Sequence, residues 1–536
     1  MGYSTMFRHL SRPIAVLSLF ALAACGGGGT STPPVTPPQT GAGILTTIVG
    51  VGDSLTAGYQ SQGFLGVSGV TNPVSAYPGH AVPPGQENGF WSLLYQQAKG
   101  VNAATMYDPQ KSPLPLINGP GLDDQLVVAA APLPFATTHT SACDQFNQAA
   151  YQLSTALSVV RANPAATVYD VAVPGQTAHE ALYMTGPLTA PAQPPSCGFA
   201  SNPNDPTAGG LQTLVATESG PFYPVLGGFA GKVAHLDQVD AAVSLRPTLA
   251  TVWLGANDLL KFTFSGGNPV ASDSAQQMQA DITLIVQKLQ NAGAKVVVAN
   301  LPDVLATAQF FRGGAPASQQ LCLLQNYVFC GVAQQVTAGL EAQGAPAALA
   351  QAEGQQVATQ VLADIQTNYG VGANGYLTET GFFTSLQEIL AQLGQGAQPS
   401  QIQIQLDPSG KGSGLGGAYV SDALAAQIQG LNDGYNAAIA AAARSTGAPL
   451  VDIHATFVQL QQQGFPLNAG CCSLVFGGGL LSLDGLHPSN TGYALVANLF
   501  IQTIDTAFGL TIVPVDPAAI NATDPYQSKA RKIPAS

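Results

Sequence analysis

Charged residues are scarce in this sequence. Only 8% of the chain is Asp, Glu, Lys or Arg, against roughly 25% in ordinary soluble proteins. Gln, Asn, Ser, Thr, Gly and Pro therefore have to build most of the surface. Lys and Arg total 16 against 29 Asp and Glu, and the formal net charge is -13. Because this charge repels phosphate backbones and anionic lipid surfaces, it argues against nucleic acid as a partner.

The N-terminal apolar run, residues 14–24, is too short to cross about 30 Å of hydrocarbon as a helix. It follows Arg8 and Arg12, and we interpret residues 1–24 as a signal peptide. The run ends in Leu-Ala-Ala-Cys, which resembles the bacterial lipobox and implies cleavage before Cys25 and acylation of that residue. Gly26 follows, which by the same resemblance favours the outer membrane of the cell envelope. The alternative is an ordinary signal peptide with a chance cysteine.

No Cys-x-x-Cys or His-x-x-x-His spacing occurs, which argues against a zinc site, and we predict neither metal nor cofactor. With Cys25 assigned to lipid, an even number of cysteines remains, which favours disulfides in an exported chain. They are Cys143, Cys197, Cys322, Cys330, Cys471 and Cys472. The sequence does not choose among their fifteen pairings. Proximity suggests Cys322 with Cys330, and Cys143 with Cys197 if Cys471 and Cys472 bridge each other.

The length of 536 residues suits several domains or one α/β domain with long insertions, and it does not decide between them. Residues 25–43 are rich in Gly and Pro and are predicted to be a tether. We predict a folded domain over 44–510 and a tail, 511–536, that runs along the surface or is disordered.

Three stretches of the predicted domain exceed what connections between elements need: about 60–165, 178–246 and 305–426. The third contains helical patterns at Gln335–Thr367 and Thr384–Leu393. It is either a cap over the sheet edge or a peripheral elaboration.

Short apolar runs alternate along the chain with helical patterns. The predicted strands are Leu45–Val51, Thr167–Val173, Leu249–Leu254, Lys295–Asn300 and Pro449–Ile453. The predicted helices are Gly89–Lys99, Ser274–Ala292, Asp433–Ala442 and Asn490–Phe508. This alternation predicts an α/β fold in which a five-stranded parallel sheet is covered on both faces, a three-layer α/β/α sandwich. Functional groups are expected at the carboxyl ends of the strands.

The first predicted strand runs directly into Gly52-Asp53-Ser54-Leu55. A serine in a sharp turn after a buried strand exposes its hydroxyl and aims its backbone N–H at a bound carbonyl. Ser54 is therefore a candidate nucleophile. Taken alone, the tetrapeptide also suits an ordinary turn.

Near the C-terminus, Asp484 precedes His487 by three residues, just before the helix predicted from Asn490. A turn of this length brings the carboxylate onto one ring nitrogen, while the other nitrogen faces the serine. The alternative for this pair is a surface turn with a helix cap. The other histidines of the predicted domain follow no metal-binding spacing, and we interpret them as hydrogen-bonded or exposed. They are His80, His139, His179, His235 and His454.

With these motifs the chain resembles the SGNH/GDSL hydrolase family. The family blocks appear in the expected order as Gly-Asp-Ser-Leu at 52–55, Gly175, Gly-Ala-Asn-Asp at 255–258 and Asp-Gly-Leu-His at 484–487. The resemblance implies the flavodoxin-like fold of that family. It assigns Ser54 as nucleophile, His487 as base and Asp484 as the residue that orients His487. The oxyanion donors that it implies are the N–H groups of Ser54 and Gly175 and the Asn257 side chain.

The chain departs from the family pattern at Val173, where asparagine is common. Asn300 fits the family's Asn-x-Pro segment and is interpreted as structural. Trp253 is expected in the core. Tyr59 is expected to line the pocket, because it follows Ser54 closely in the chain.

The resemblance implies a serine ester hydrolase that works through an acyl-enzyme without metal or cofactor. It does not choose the substrate, because the fold supports several kinds of ester hydrolysis. A membrane tether and apolar insertions favour esters of lipids or small acyl esters, and polysaccharide deacetylation is the alternative. A non-catalytic envelope or adhesion protein is the alternative of another class, and the four intact motifs argue against it. The oligomeric state stays open.

Overall fold

We analysed a computed structural model of the chain. It describes residues 43–60, 86–106, 108, 110–116, 166–185, 200–201, 222, 225–269, 272–406, 417–467, 472–475, 477–482, 484–524 and 526. The predicted signal peptide, the lipid site at Cys25 and the tether up to residue 42 lie outside these residues. So do Cys143, Cys197 and Cys471. The described residues all belong to one unit by their contacts, Pro37–Ser536.

Four parallel strands form the main sheet in the order β1-β4-β5-β9. The strands are β1 (Ile48–Gly52), β2 (Met184–Thr185), β3 (Ala200–Ser201), β4 (Leu249–Trp253), β5 (Lys295–Ala299), β6 (Phe310–Arg312), β7 (Tyr376–Thr378), β8 (Tyr419–Val420) and β9 (Leu450–Val451). Every residue of β1 and β4 is buried, which is the burial expected of a parallel sheet covered on both faces. In register, Gly52 pairs with Trp253, so β1 and β4 end side by side.

The prediction of a fifth strand at Thr167–Val173 is not confirmed. This segment pairs with β1 through a single bridge, between Gly50 and Asp170. It nevertheless follows β1 in parallel, because Gly50 donates to Tyr169 and Val173 donates to Gly52 at 2.9 and 3.1 Å. The segment therefore still delivers the residues after Val173 to the end of β1.

The α-helices of the described residues lie between the strands and after β9. They are α1 (Phe90–Lys99), α2 (Ala103–Met106), α3 (Ala178–Tyr183), α4 (Gln238–Ser244), α5 (Ala256–Phe264), α6 (Ala275–Asn291), α7 (Gln319–Leu324), α8 (Val328–Ala342), α9 (Ala347–Tyr369), α10 (Glu379–Gly394), α11 (Asp422–Thr446), α12 (Ile453–Gln463), α13 (Asn490–Phe508) and α14 (Pro517–Asn521). The predicted bounds of α1, α6 and α13 are confirmed to within one residue. The helix predicted over Asp433–Ala442 is longer, and the pattern over Gln335–Thr367 divides into α8 and α9.

Two groups of helices pack against β5. Helices α6 and α11 contact each other and β5, and helices α1 and α13 pack together while α13 also contacts β5. The α/β class with a parallel sheet is thus confirmed. Trp253 is buried as predicted. Among the described residues, no helix combines the length and the apolar character that crossing a bilayer requires.

The third predicted insertion has a hydrophobic cluster of its own. Its strands β6, β7 and β8 form an antiparallel sheet, and α8 packs along α9. The rings of Phe311 and Phe382 stack at 4.0 Å between centroids and join β6 to α10. The suggested disulfide between Cys322 and Cys330 lies in this insertion and is confirmed. Cys472 is also disulfide-bonded.

Residues 511–524 and 526, which were predicted to run along the surface or to be disordered, are mostly exposed or half-buried, but a few buried side chains anchor them. Val515 and Tyr526 are buried, and α14 packs on α13. The Asp524 carboxylate accepts hydrogen bonds from the N–H and the hydroxyl of Thr491, at 2.7 and 2.6 Å. This part of the chain therefore caps the start of α13, which follows the loop that carries His487.

Candidate active site

Ser54 lies in a tight turn at the carboxyl end of β1. The Tyr59 N–H donates to the Ser54 carbonyl at 2.9 Å, and the Leu55 N–H donates to the Asp53 carboxylate at 2.9 Å. A side chain at Gly52 would place its Cβ 2.9 Å from the Trp253 carbonyl, so glycine is required where β1 meets β4. The Ser54 side chain is half-buried, and the turn presents its hydroxyl at the edge of the sheet.

His487 joins Ser54 to Asp484. Its Nε2 lies 2.8 Å from the Ser54 hydroxyl oxygen, and its Nδ1 lies 2.8 Å from Asp484 Oδ2. Ser54 and His487 are 433 residues apart in the chain, so the fold alone brings them together. The structure thus forms the continuous chain of hydrogen bonds that the sequence motifs predict.

Asp484 is held as a carboxylate. Its Oδ1 accepts from the backbone N–H groups of Leu486 and His487 at 3.0 and 2.9 Å and from the Ser482 hydroxyl at 3.1 Å. Burial raises the pKa of Asp484, but the charge of His487 and these hydrogen bonds outweigh burial and lower the pKa to about 2. At neutral pH a negative charge therefore stands behind His487 Nδ1.

Asn257 lies near Ser54. Both residues line one pocket, together with His487. The Asn257 side-chain amide donates to the Gln176 carbonyl at 3.1 Å, which fixes its orientation. Gly175 has φ +91°, a backbone conformation that favours glycine. Gly175 is not a wall residue of this pocket, but it directly precedes the residue that anchors Asn257.

The pocket beside Ser54 has a volume of about 40 Å³. Its walls are mostly aliphatic and aromatic. They include Leu260, Leu301, Val304, Phe457 and Leu486. Tyr59 is not a wall residue of this pocket, so its predicted position is wrong, and its ring instead lies 5.0 Å from that of His487.

Gln238 supports the turn that carries Ser54, and no sequence motif predicted this role. Its side chain accepts from the Gly52 N–H at 2.7 Å and donates to the Gly52 carbonyl at 2.9 Å. It also donates to the Gln176 side chain at 2.6 Å. It therefore connects the end of β1 to the segment that carries Gly175. Gln238 is the first residue of α4, and no motif distinguishes it from a surface glutamine.

Gln309 braces the histidine loop and was also missed. Its side-chain amide donates to the Asp484 carbonyl at 2.7 Å, and its N–H donates to the Gly485 carbonyl at 3.1 Å. Its own carbonyl accepts from the Glu379 N–H at 2.7 Å. The third insertion thus contacts the loop between Asp484 and His487 directly.

Asn300, interpreted as structural, joins two strand ends. Its side chain donates to Asp452 at 2.8 Å and accepts from the His454 N–H at 2.9 Å. Its carbonyl accepts from the Trp253 indole at 3.1 Å. These contacts hold β4, β5 and the segment after β9 together at the edge where Ser54 lies.

Among known protein families, one family model matches the chain. The family model described as GDSL-like Lipase/Acylhydrolase matches residues 48–500. This match covers well over half of the chain and contains every residue of the candidate site. Searches against curated proteins and against solved structures found no significant match.

Proposed function

The chain belongs to the GDSL-like lipase/acylhydrolase family, and from this premise we propose that it is a serine ester hydrolase that forms an acyl-enzyme on carboxylic esters. One observation carries the proposal. The Ser54 hydroxyl, the His487 ring and the Asp484 carboxylate form an unbroken chain with both contacts at 2.8 Å. A serine is a weak nucleophile by itself, and an adjacent oriented base is what activates it.

In the first step, the Ser54 oxygen attacks the ester carbonyl and its proton passes to His487 Nε2. Asp484 stabilises the resulting imidazolium through Nδ1. The same proton then moves from Nε2 to the leaving alkoxide as the carbon–oxygen bond breaks. Water repeats the sequence on the acyl-enzyme and releases the acid.

The developing oxyanion needs fixed donors. We assign this role to the N–H groups of Ser54 and Gly175 and to the Asn257 amide, whose orientation is supported by its bond to the Gln176 carbonyl. Each such donor contributes on the order of 3 kcal/mol to barrier reduction. Asn257 is suited to the role because it is uncharged and half-buried at the pocket.

The pocket supports a short acyl group. A volume of about 40 Å³ is small beside the roughly 300–1,000 Å³ of sites for drug-sized ligands, and apolar walls suit a hydrocarbon chain. We therefore favour small acyl esters over long-chain lipids. Acetyl esters of polysaccharides share this short acyl group and remain the second substrate class.

The proposed location follows from the N-terminal sequence. Residues 1–24 have the features of a lipoprotein signal peptide, and an acylated Cys25 would anchor the enzyme to the bacterial envelope, at the outer membrane. The Gly and Pro-rich segment up to Gly43 then spaces the domain from the lipid. Mass spectrometry of the envelope-bound protein tests this: a diacylglycerol-modified Cys25 supports it, and an unmodified N-terminus rejects it.

The decisive experiment compares wild type with Ser54→Ala and with Ser445→Ala, a control serine in α11. We expect Ser54→Ala to lose hydrolysis of p-nitrophenyl acetate and labelling by a fluorophosphonate, with an unchanged far-UV spectrum. Ser445→Ala should keep both. Esterase activity that survives in purified Ser54→Ala rejects the nucleophile. A wild type that is neither labelled nor active indicates the non-catalytic alternative.

A matched panel then separates the substrate classes. It contains p-nitrophenyl esters of increasing chain length and an acetylated xylan. Highest kcat/KM on acetyl or butyryl esters supports the short acyl group, and a preference for the glycan over both indicates the deacetylase.

A further inference from the structure

A buried cluster of titratable side chains lies behind the proposed oxyanion donors. His179 belongs to α3, Asp281 belongs to α6, and Asp273 precedes α6 by two residues. Each offers one ligand atom, and these atoms all lie within 4.8 Å of one another. His179 and Asp281 are buried and Asp273 is half-buried. None of the three takes part in the proposed reaction.

Hydrogen bonds already orient the cluster. His179 Nδ1 lies 3.1 Å from Asp281 Oδ2, and the Gln277 amide donates to Asp281 Oδ1 at 2.9 Å. The Gln277 contact is of the kind that fixes the orientation of a ligating carboxylate in metal sites. Asp281 therefore presents its Oδ2 towards His179.

A further carboxyl group, that of Asp258, contacts the cluster at Asp273 and is incompletely bonded. Asp258 is fully buried, and its Oδ2 accepts from the Ala178 N–H at 3.3 Å. Within the described residues, its Oδ1 has no hydrogen-bond partner. The Asp258 carboxyl group lies against that of Asp273. Two carboxyl groups in contact away from water need a proton or a cation between them.

The lysine of this region is engaged by another carboxylate. Lys261 Nζ lies 2.9 and 2.7 Å from the two oxygens of Glu180. Lys261 also acts on Asp258, but within the described part of the chain Glu180, Asp258, Asp273 and Asp281 still outnumber Lys261 and His179. Carboxylates gathered in a buried place are costly unless they are neutralised.

We propose that His179, Asp273 and Asp281 bind a divalent transition-metal cation, with Asp258 as a further oxygen ligand. Imidazole nitrogen together with carboxylate oxygen suits Zn²⁺ or Mn²⁺. His179 follows Gly175 by four residues, and Asp258 directly follows Asn257. The cation thus ties together the two segments that carry these residues. Its role is structural, and the proposal stands whether or not the chain hydrolyses esters.

Metal content is the direct test. The purified chain is stripped with a chelator, dialysed against Zn²⁺ or Mn²⁺, and measured by mass spectrometry of the metal and by thermal unfolding. We expect about one bound ion per chain and a Tm that rises with metal concentration, because the ligand binds the folded state. Wild type that binds neither ion overturns the proposal and leaves a proton shared by Asp258 and Asp273.

Variants locate the ion. Asp281→Asn and His179→Gln should weaken binding at least about tenfold, since even outer-shell changes cost that much. The control is Asp240→Asn, which removes the 2.6 Å ion pair to Lys288 on α6 and should bind as wild type does. Unchanged binding in both cluster variants overturns the site.

If these variants do not fold, X-ray absorption spectroscopy of metal-loaded wild type identifies the atoms that bind the metal. Only nitrogen and oxygen neighbours at about 2.0–2.2 Å support the site. A sulfur shell at about 2.3 Å overturns it, because the ion would then lie on cysteines.

Discussion

The ring of Tyr59 lies 5.0 Å from the imidazole of His487, with 59° between the two planes. Tyr59 also donates its N–H to the Ser54 carbonyl at 2.9 Å, and its own carbonyl accepts from the Tyr493 hydroxyl at 2.7 Å. One residue therefore contacts the backbone of the serine turn, the ring of the histidine and the start of α13. It holds the two distant halves of the candidate site in one arrangement.

Tyr59→Ala is expected to lower kcat by about two- to tenfold, because a tilted ring pair contributes about 0.5–1.5 kcal/mol and about 1.4 kcal/mol is a factor of ten. Tyr59→Phe keeps the ring and should retain more of the wild-type kcat than Tyr59→Ala does. The measurement is kcat on p-nitrophenyl acetate. Equal losses in both variants would contradict a role for the ring contact.

Gln309→Leu is expected to lower kcat with KM nearly unchanged. The substitution removes the 2.7 Å bond to the Asp484 carbonyl and leaves that buried oxygen unpaired, at a cost of about 1–3 kcal/mol. His487 then spends less time aligned with Ser54. Steady-state kinetics and the free energy of unfolding check both effects. The control is Gln355→Leu, on an exposed face of α9. A Gln309→Leu variant with wild-type kcat would show that the loop between Asp484 and His487 keeps its conformation without Gln309.

Stability is expected to fall as pH rises from about 4 to about 8, partly through Asp237. Burial, then the charge of Asp240, raise the pKa of Asp237 from 3.8 to about 8. The pKa of Asp237 is higher in the folded state than in the unfolded state. Its contribution to the free energy of unfolding is therefore complete below the unfolded-state pKa, and it is lost as the pH rises through the folded-state pKa. The loss reaches at most about 6 kcal/mol.

Asp237→Asn isolates this effect. Asparagine keeps the N-cap bond to the Asp240 N–H, which is 2.7 Å long, since Asn and Asp cap helices about equally. The free energy of unfolding, measured with urea at pH 5 and pH 8.5, should change less with pH in this variant than in wild type. The control is Glu341→Gln at an exposed position, which should behave as wild type does. A pH dependence equal to that of wild type contradicts the assignment.

Phe457→Ala is expected to move the preferred acyl chain towards greater length. Phe457 is a buried wall residue of the pocket beside Ser54, and its removal opens space for further methylene groups, each worth about 0.8 kcal/mol of binding. The ratio of kcat/KM on octanoyl and butyryl esters should rise about tenfold. An unchanged ratio would mean that the acyl group lies elsewhere.

Some of the fold was predictable because its signal is local. The bounds of β4 and β5 follow from short apolar runs to within one residue, whereas β1 begins three residues after its predicted start. The bounds of α6 and α13 follow from helical spacing between recognisable caps. Thr167–Val173 carried the same apolar signal, yet it forms only one bridge with β1. Apolar character predicts burial beside the sheet, whereas a full strand also requires the partner backbone to continue the ladder.

Buried polar residues were not predictable in this way. Gln238 and Gln309 look like surface glutamines, and their partners lie 186 and 175 residues away. Asp524 follows a Pro and Asp-rich stretch, yet it bonds Thr491 in the interior. A single sequence does not contain such pairings, because they depend on which backbone groups the fold leaves without partners.

The sequence by itself determined the order of the four motif blocks, and this order indicated the family. It also identified the candidate site residues Ser54, Asn257, Asp484 and His487. These signals need only a few adjacent residues, so a single sequence contains them. Only the tertiary structure decided that His487 lies 2.8 Å from Ser54, that Gln238 and Gln309 bond to distant loops, and that the Asp258 carboxyl group lies against that of Asp273. The reason is physical: hydrogen bonds and charge contacts act over a few ångströms in space, and residues hundreds of positions apart acquire them only when the chain has folded.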